Sequence, residues 1–295
     1  MDETILRLRN HMNSNHLSMQ DVATGADISK GAVCEWLKKT YTGNSENVTL
    51  KIKNYLDREE KRAKSWTLPT VDISTMQYVK EIAQLCHTNN RIGVCVGVAG
   101  LGKTYAAKAY AKEFIDTILI ESNYNFTAKA LLLEIHKNTG LSCKGSSYEM
   151  MEEIIDKLSG SNRLLIIDEA ENLRREALEI ARRIHDKTNI GILLIGRAIL
   201  LQNLRGKKNQ YDQLYSRVMY NKQITELTLS DVTKVLISAG QDTNMAKKYL
   251  FHSNKNARRL EHLLSISIGL AKLNGKSEVD DAVLERASKI LIDKE

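Results

Sequence analysis

The segment GVAGLGKT at residues 97–104 restricts the possible folds of this chain more than any other feature. It matches the pattern G-x-x-x-x-G-K-[ST] in full, and it lies between an apolar run and a helical pattern that starts at Lys103. Glycines let backbone N–H groups wrap phosphate oxygens, and a helix N-terminus adds a positive dipole. Lys103 would reach the β- and γ-phosphates, and the Thr104 hydroxyl would coordinate magnesium. The segment therefore predicts a site for ATP and Mg²⁺, with the nucleotide bound by Gly97, Val98, Ala99, Gly100, Leu101, Gly102, Lys103, Thr104 and Tyr105.

A second segment, LLIIDEAE at 164–171, supplies the carboxylates that the first segment does not contain. Its apolar run predicts a strand that ends at Asp168, and ligands of open parallel sheets lie at the carboxyl ends of strands. We expect Asp168 to hold the magnesium ion. Glu169, the next residue, would act as the general base towards the attacking water. The two segments together predict ATP hydrolysis rather than ATP binding alone.

Apolar runs alternate with helical patterns through the middle of the chain. This alternation predicts a parallel sheet that is covered by helices on both faces. The expected strands are 93–98, 117–122, 163–169 and 191–196, with helices from Lys103 to about Phe114 and over 128–137. From about Ser230 the pattern is helical only, which indicates a small helical subdomain.

The lone proline, Pro69, follows the charged run DREEKRAKSW at 57–66, and this pair of features is typical of a linker. We therefore expect three domains: 1–66 with the charged linker, 67–228 with the parallel sheet, and 229–295 with the helical subdomain.

Residues 19–37 predict two short helices joined by a tight turn at Asp27. Asp is tolerated at such a turn because it can adopt left-handed backbone angles, and Ser29 can cap the second helix. The pattern resembles the helix-turn-helix of phage repressors, whose second helix enters the major groove of DNA. Lys30 would then face DNA. A helical hairpin that docks on protein is the alternative.

The net charge is +7, and residues 171–222 carry most of it, with eleven Lys or Arg against five Asp or Glu. A focused surplus of this kind suggests a polyanionic partner. In the helical stretch 171–187, however, Arg175 and Arg182 each precede a carboxylate by four residues, so intrahelical ion pairs explain them at least as well.

No stretch approaches the roughly 18 to 20 apolar residues of a membrane span, and MDETILRLRN has no secretory h-region. Four dispersed cysteines without CxxC spacing argue against disulfides and zinc. We expect a cytoplasmic protein with no membrane contact.

The order of these motifs resembles the transposition B proteins of Mu-type bacteriophages, which are AAA+ ATPases. The resemblance runs nearly end to end, through the helix-turn-helix, TYTGNSENV at 40–48, GLGKT, LLIIDEAENL, NIGILLIG, QLYSRV at 213–218 and the helical C-terminal part. It implies a P-loop AAA+ parallel sheet flanked by helices, a C-terminal helical lid and an N-terminal helix-turn-helix domain. It also implies an ATP-dependent binder of double-stranded target DNA. Such a protein assembles into a helical filament or ring, delivers the DNA to a DDE-type transposase and activates strand transfer, in the cytoplasm of a bacterial host.

The resemblance also implies roles for individual arginines. Arg217 of SRV matches the arginine finger that completes the site of a neighbouring subunit, although a surface salt bridge is the alternative. Arg259 of NARRL matches the sensor arginine of the lid, with Arg258 one position away as the alternative. The family's polar residue at the end of the fourth strand corresponds to Arg197 here, and this departure predicts slow or partner-dependent hydrolysis.

Three lysines in expected loops are candidates for DNA contact, because lysines that bind phosphates need exposure more than fixed geometry. They are Lys144, Lys207 and Lys208; solvated loop charge is the alternative. Two other functions remain open on the sequence alone. A replicative helicase loader would share the ATP motifs, and a repressor with an ATP-gated helix-turn-helix would bind one DNA site tightly without turnover.

Overall fold

The computed structural model describes residues 2–63, 70–124, 126–142, 145–205 and 215–291. The chain divides into two compact units, Met1–Thr67 and Leu68–Glu295. Each unit has its own buried core. The predicted further division at residue 228 stays a prediction.

The first unit is all helical. Its helices are α1 (Asp2–Ser14), α2 (Met19–Ala26), α3 (Lys30–Leu37) and α4 (Ser45–Ala63). They close around Leu8, Val22, Val33, Trp36 and Ile52, each of which is fully buried. Burial of side chains of this size is the main source of stability in so small a unit.

The turn between α2 and α3 has the predicted local structure. Asp27 adopts left-handed backbone angles (φ 53°, ψ 54°), and the Ser29 side chain accepts a hydrogen bond from the backbone N–H of Ala32 at the start of α3. The turn is also fixed from α4, because the Lys51 ammonium and the Arg58 guanidinium donate to the backbone oxygens of Asp27 and Gly25.

The charged run that was predicted to be a linker begins inside a helix. Helix α4 continues to Ala63, and within it Asp57 and Glu60 accept hydrogen bonds from Arg7 of α1 at 2.9 and 2.7 Å. The charges at the start of the run therefore pair with another helix rather than with water alone. Pro69 lies outside the described residues.

The second unit is built on a five-stranded parallel sheet of order β2-β3-β4-β1-β5. Its strands are β1 (Ile92–Gly97), β2 (Thr117–Glu121), β3 (Leu164–Asp168), β4 (Gly191–Gly196) and β5 (Val218–Ile224). Every residue of β1, β3 and β4 is buried. The unbroken apolar runs of the sequence are thus explained by burial on both faces.

Helices cover both faces of this sheet, as predicted. They are α5 (Ser74–Asn89), α6 (Lys103–Glu113), α7 (Ala128–Asn138), α8 (Ser147–Leu158), α9 (Arg175–Thr188) and α10 (Ile199–Arg205). Helices α5 and α6 pack on one face, and α7 to α10 pack on the other. The carboxyl ends of β1, β3 and β4 consequently open onto one edge.

The sequence did not predict β5. Its residues alternate between half-buried and exposed, as on an edge strand, and they lack the apolar run that marked the other strands. It pairs with β1, and a side chain at Gly97 would place its Cβ 2.5 Å from the carbonyl oxygen of Ile224. This close approach explains the glycine at the end of β1.

The described residues after the sheet form further helices, in the region where the sequence pattern is helical only. They are α11 (Leu229–Ser238), α12 (Ala246–His252), α13 (Ala257–Leu273) and α14 (Asp281–Ile290). The buried Asp231 joins α11 to the sheet region, because its carboxylate accepts hydrogen bonds from the backbone N–H and hydroxyl of both Ser74 and Thr228. Across the described ranges, none of the helices is long and apolar enough to cross a membrane.

Candidate functional site

The loop between β1 and α6 has the geometry that its glycines predict. Gly100 and Gly102 have φ of +83° and +89°, which side chains of L-residues rarely tolerate. Leu101 between them is fully buried in the core beneath the loop. Leu101 therefore anchors the loop, and its contribution to a bound nucleotide is limited to its backbone.

Lys103 is buried at the first position of α6. Its Nζ donates to the carbonyl oxygens of Gly97 and Val98, each at 2.8 Å. Burial lowers the pKa of Lys103, while the nearby carboxylates of Asp168 and Glu171 oppose that shift. An ammonium at this position can move from backbone acceptors to phosphate oxygens, which are stronger acceptors because they are charged.

Strand β3 delivers Asp168, whose side chain is buried at its carboxyl end. One carboxylate oxygen accepts the backbone N–H of Glu169 at 2.9 Å. The other, Oδ2, is buried and has no hydrogen-bond partner within the part of the chain that the structure describes. A buried orphan carboxylate oxygen facing the same cleft as the Thr104 hydroxyl fits a hard divalent cation such as Mg²⁺.

Glu169 follows in left-handed backbone geometry, with φ of 53°. Its carboxylate lines the cleft and accepts a hydrogen bond from the Asn172 amide at 3.1 Å. A non-glycine residue in this region is uncommon and is often found at functional sites. The arrangement suits the predicted base, because the carboxylate is oriented by a neutral donor.

These residues surround one cleft of about 600 Å³, a volume typical of ligand sites. Its polar lining includes Lys103, Thr104, Asp168 and Glu169. Its apolar lining, which suits a planar base, includes Val71, Ile73, Met76, Leu227, Val235 and Leu260. Ala99, Gly100, Gly102 and Tyr105 of the predicted nucleotide set also line the cleft, whereas Gly97, Val98 and Leu101 do not line it.

The start of α13 closes the cleft over the loop. The side-chain amide of Asn256 donates to the carbonyl oxygen of Ala99 at 2.7 Å. The backbone N–H of Arg258 donates to the carbonyl oxygen of Gly100 at 2.9 Å. A Cβ at Gly100 would lie 2.5 Å from the Asn256 side chain. Neither Asn256 nor its bond to the loop was predicted, since no local pattern connects positions so far apart in sequence.

The structure brings Arg258, rather than Arg259, to the cleft. Arg258 lines the cavity, whereas the Arg259 Nε donates to the backbone oxygen of His252 at 3.0 Å. Successive helical residues point about 100° apart, so only one of the two can face a given ligand. Of the two candidates, Arg258 is the one that lines the cleft, and the role of lid arginine stays a prediction.

Arg197, at the end of β4, also lines the cleft and is paired with Glu171. The sequence singled out Arg197 but not its partner. The only available signal for Glu171 was its place three residues after Asp168.

Arg217 lies in the turn before β5, away from the cleft of its own chain. Its Nε donates to Asp186 of α9 at 2.6 Å. Asp186 also pairs with Arg182, as the sequence predicted. In the isolated chain Arg217 thus takes part in a surface salt bridge, and the role of arginine finger towards a neighbouring subunit stays a prediction.

The residues predicted to contact DNA are only partly described. Lys30 is exposed at the first position of α3. Lys144, Lys207 and Lys208 lie outside the described residues.

The chain is similar to a known domain family and to several phage and prophage proteins. The family described as "AAA domain" matches residues 86–204, which contain both ATP motifs. The Mu-like prophage FluMu DNA transposition protein B of Haemophilus influenzae is 26% identical over 247 residues, covering 81% of this chain and 86% of that protein. The ATP-dependent target DNA activator B of Escherichia phage Mu is 24% identical over 295 residues, covering 96% of this chain and 93% of that protein.

Among solved structures, the Aeropyrum pernix ORC2 protein has a similar fold, with a TM-score of 0.58 at 16% identity over 79% of this chain and 71% of that one. The predicted resemblance to phage B proteins and the AAA fold are both confirmed. The chain is an ATPase.

Proposed function

We propose that this ATPase, whose sequence resembles phage transposition B proteins over nearly its whole length, is an ATP-dependent and largely sequence-nonspecific DNA-binding protein. It assembles on target DNA, delivers that DNA to a DDE-type transposase and activates strand transfer. The observation that carries the proposal is the extent of the resemblance: it covers 96% of the chain and so includes the helical first unit as well as the ATPase. An AAA domain alone is compatible with many functions.

The cleft supplies the residues for ATP hydrolysis. Lys103 neutralises charge on the β- and γ-phosphates, and Glu169 accepts a proton from the attacking water. Mg²⁺ held by Thr104 and Asp168 would stabilise negative charge on the same phosphates. Arg217 of a neighbouring subunit offsets the charge that remains on the γ-phosphate. This division makes turnover depend on assembly.

The helical first unit supports the choice of nonspecific binding. Helix α3 exposes Lys30, and Lys38 is exposed just after its end, but Glu35 is exposed on the same helix. The Lys51 and Arg58 side chains are engaged with the α2–α3 turn. A base-reading helix normally presents several donors to the major groove. Affinity is therefore expected to come from many aligned subunits that each contact phosphates.

The test is DNA binding with ATP, with ADP and without nucleotide, using random duplexes and duplexes selected from a random pool. Electron microscopy of the same mixtures would record assembly. We expect cooperative binding that needs ATP and varies little with sequence. Lys103→Ala should abolish ATP binding, whereas Lys112→Ala, an exposed lysine on the same helix, should retain it. Tight binding to one sequence without ATP would contradict the proposal and favour a repressor.

A further inference from the structure

Glu171 is a nearly buried residue that lines the cleft near Lys103. Only 7% of its side chain is exposed, and it accepts two hydrogen bonds from Arg197. Oε1 accepts the Nε–H of Arg197 at 2.8 Å, and Oε2 accepts its backbone N–H at 3.1 Å. Two bonds from one residue fix both the backbone and the guanidinium of Arg197 relative to the carboxylate.

The surrounding backbone leaves space for this contact and holds it. A Cβ at Gly196 would lie 2.3 Å from Oε2 of Glu171, so a side chain at position 196 would displace the carboxylate from this position. On the other side, the Asn203 amide donates to the backbone oxygen of Glu171 at 3.2 Å. The pair is thus set between β4, α10 and the turn after β3, unlike a mobile pair on the surface.

The bonds to Glu171 leave part of the guanidinium available. They use the Nε and the backbone nitrogen of Arg197, and within the described part of the chain no acceptor bonds to its two terminal nitrogens. The Arg197 side chain is 61% exposed and lines the cleft that contains Lys103 and Thr104. A planar guanidinium with two free N–H₂ groups matches the oxygens of a phosphate.

The charges of the pair also suit this location. A lone carboxylate near Lys103 in the cleft would repel the phosphates of ATP, and Arg197 offsets that charge. Because the guanidinium is tied through Nε, it cannot turn away towards solvent without breaking a charge-assisted hydrogen bond.

We infer that Glu171 is a positioning residue that holds Arg197 against the terminal phosphate of ATP, so that an arginine of the same chain makes the cleft prefer ATP to ADP. The inference rests on ATP binding in this cleft, as the proposed function does. It assigns Glu171 no part in proton transfer, because both of its oxygens are occupied by Arg197.

The test measures affinities for ADP and for a non-hydrolysable ATP analogue, both with Mg²⁺, by calorimetry. A lost hydrogen bond to a charged group corresponds to about tenfold or more in affinity. Arg197→Ala and Glu171→Ala should therefore each lower the preference for the ATP analogue about tenfold, with ADP affinity changed by no more than about twofold. The double variant should match either single variant, since both remove the same contact. Glu171→Gln keeps an acceptor oxygen and should retain part of the preference.

Glu113→Ala is the matched control, because it removes a pair to Lys80 of the same 2.8 Å length away from the cleft. Its preference should equal that of the wild type. An unchanged or increased preference in Glu171→Ala would overturn the inference, as would additive effects in the double variant. Equal losses for ADP and the ATP analogue, with a lower melting temperature, would show a structural role only. If wild-type protein fails to bind the ATP analogue at all, the proposed function fails instead.

Discussion

Asn256 joins two functions in one side chain, and they can be separated by substitution. Its Oδ1 accepts the backbone N–H of Arg259 and so caps α13, while its Nδ2 donates to the carbonyl oxygen of Ala99 in the phosphate-binding loop. Asn256→Ala removes both contacts. Asn256→Ser retains a capping oxygen but is too short to reach Ala99.

The expected magnitudes follow from these two contacts. Loss of an N-cap costs about 1 kcal/mol, and loss of a hydrogen bond without a buried orphan costs about 1 kcal/mol. We therefore expect Asn256→Ala to lower the free energy of unfolding by about 2 kcal/mol and Asn256→Ser by about 1 kcal/mol. In a unit of this size these values correspond to about 4–8 °C and about 2–4 °C in melting temperature.

Nucleotide affinity should follow a different order. Both variants lose the bond that holds α13 over the loop, so both should bind ATP about fivefold more weakly, as expected for about 1 kcal/mol. Calorimetric melting and ATP titration of the three proteins provide the measurements. If Asn256→Ser equals the wild type in both measurements, the bond to Ala99 contributes nothing. If the two variants have the same melting temperature, the N-cap contributes nothing to stability.

Three further predictions concern assembly, pH and DNA. Arg217→Ala should retain ATP binding but lose ATP hydrolysis. Mixing it with Lys103→Ala should restore some turnover, because each variant supplies the residue that the other lacks. If the two proteins co-assemble and turnover is not restored, Arg217 does not act as a finger in trans. Burial alone would raise the pKa of Asp231, but hydrogen bonds from Ser74 and Thr228 outweigh it and hold the pKa below its usual value. Asp231 therefore stabilises the fold above the unfolded-state pKa of about 4, and this stabilisation is lost as pH falls further through the lowered pKa. Asp231→Asn should lower the free energy of unfolding at pH 7 and make it depend less on pH in the acid range, as measured by denaturant titrations. If the stability of the variant and of the wild type fell in parallel with pH, this prediction would be refuted. Lys207→Ala with Lys208→Ala should weaken DNA binding and flatten its salt dependence while ATP binding is unchanged; an unaltered salt slope would remove these lysines from the interface.

The parts of the site that were predicted from the sequence share one property: each is encoded by a short continuous segment. The loop around Lys103 and the strand end at Asp168 are of this kind, because local backbone requirements dictate their residues. The pairing of Arg197 with Glu171 and the docking of Asn256 on Ala99 depend on which elements become neighbours in space. A single sequence contains no signal for such pairs. The edge strand β5 was missed for a related reason, since it is defined by pairing with β1 more than by its own apolarity.

The salt bridge between Arg217 and Asp186 bears directly on how assembly could control turnover. Both side chains are partly exposed, at 39% and 29%, and such pairs contribute about 0–1 kcal/mol. Stabilisation of the transition state by an arginine finger in trans is far larger, since it raises rates by roughly 10³ to 10⁵, or about 4–7 kcal/mol. Breaking the salt bridge between Arg217 and Asp186 therefore costs much less free energy than Arg217 would contribute as an arginine finger. Asp186 would keep the arginine ordered in the free chain, and a neighbouring subunit with bound ATP would offer a stronger anionic partner. On this argument Asp186→Ala should leave turnover in the assembled state nearly unchanged, and a large loss of turnover would show that Asp186 does more than hold Arg217 in the free chain.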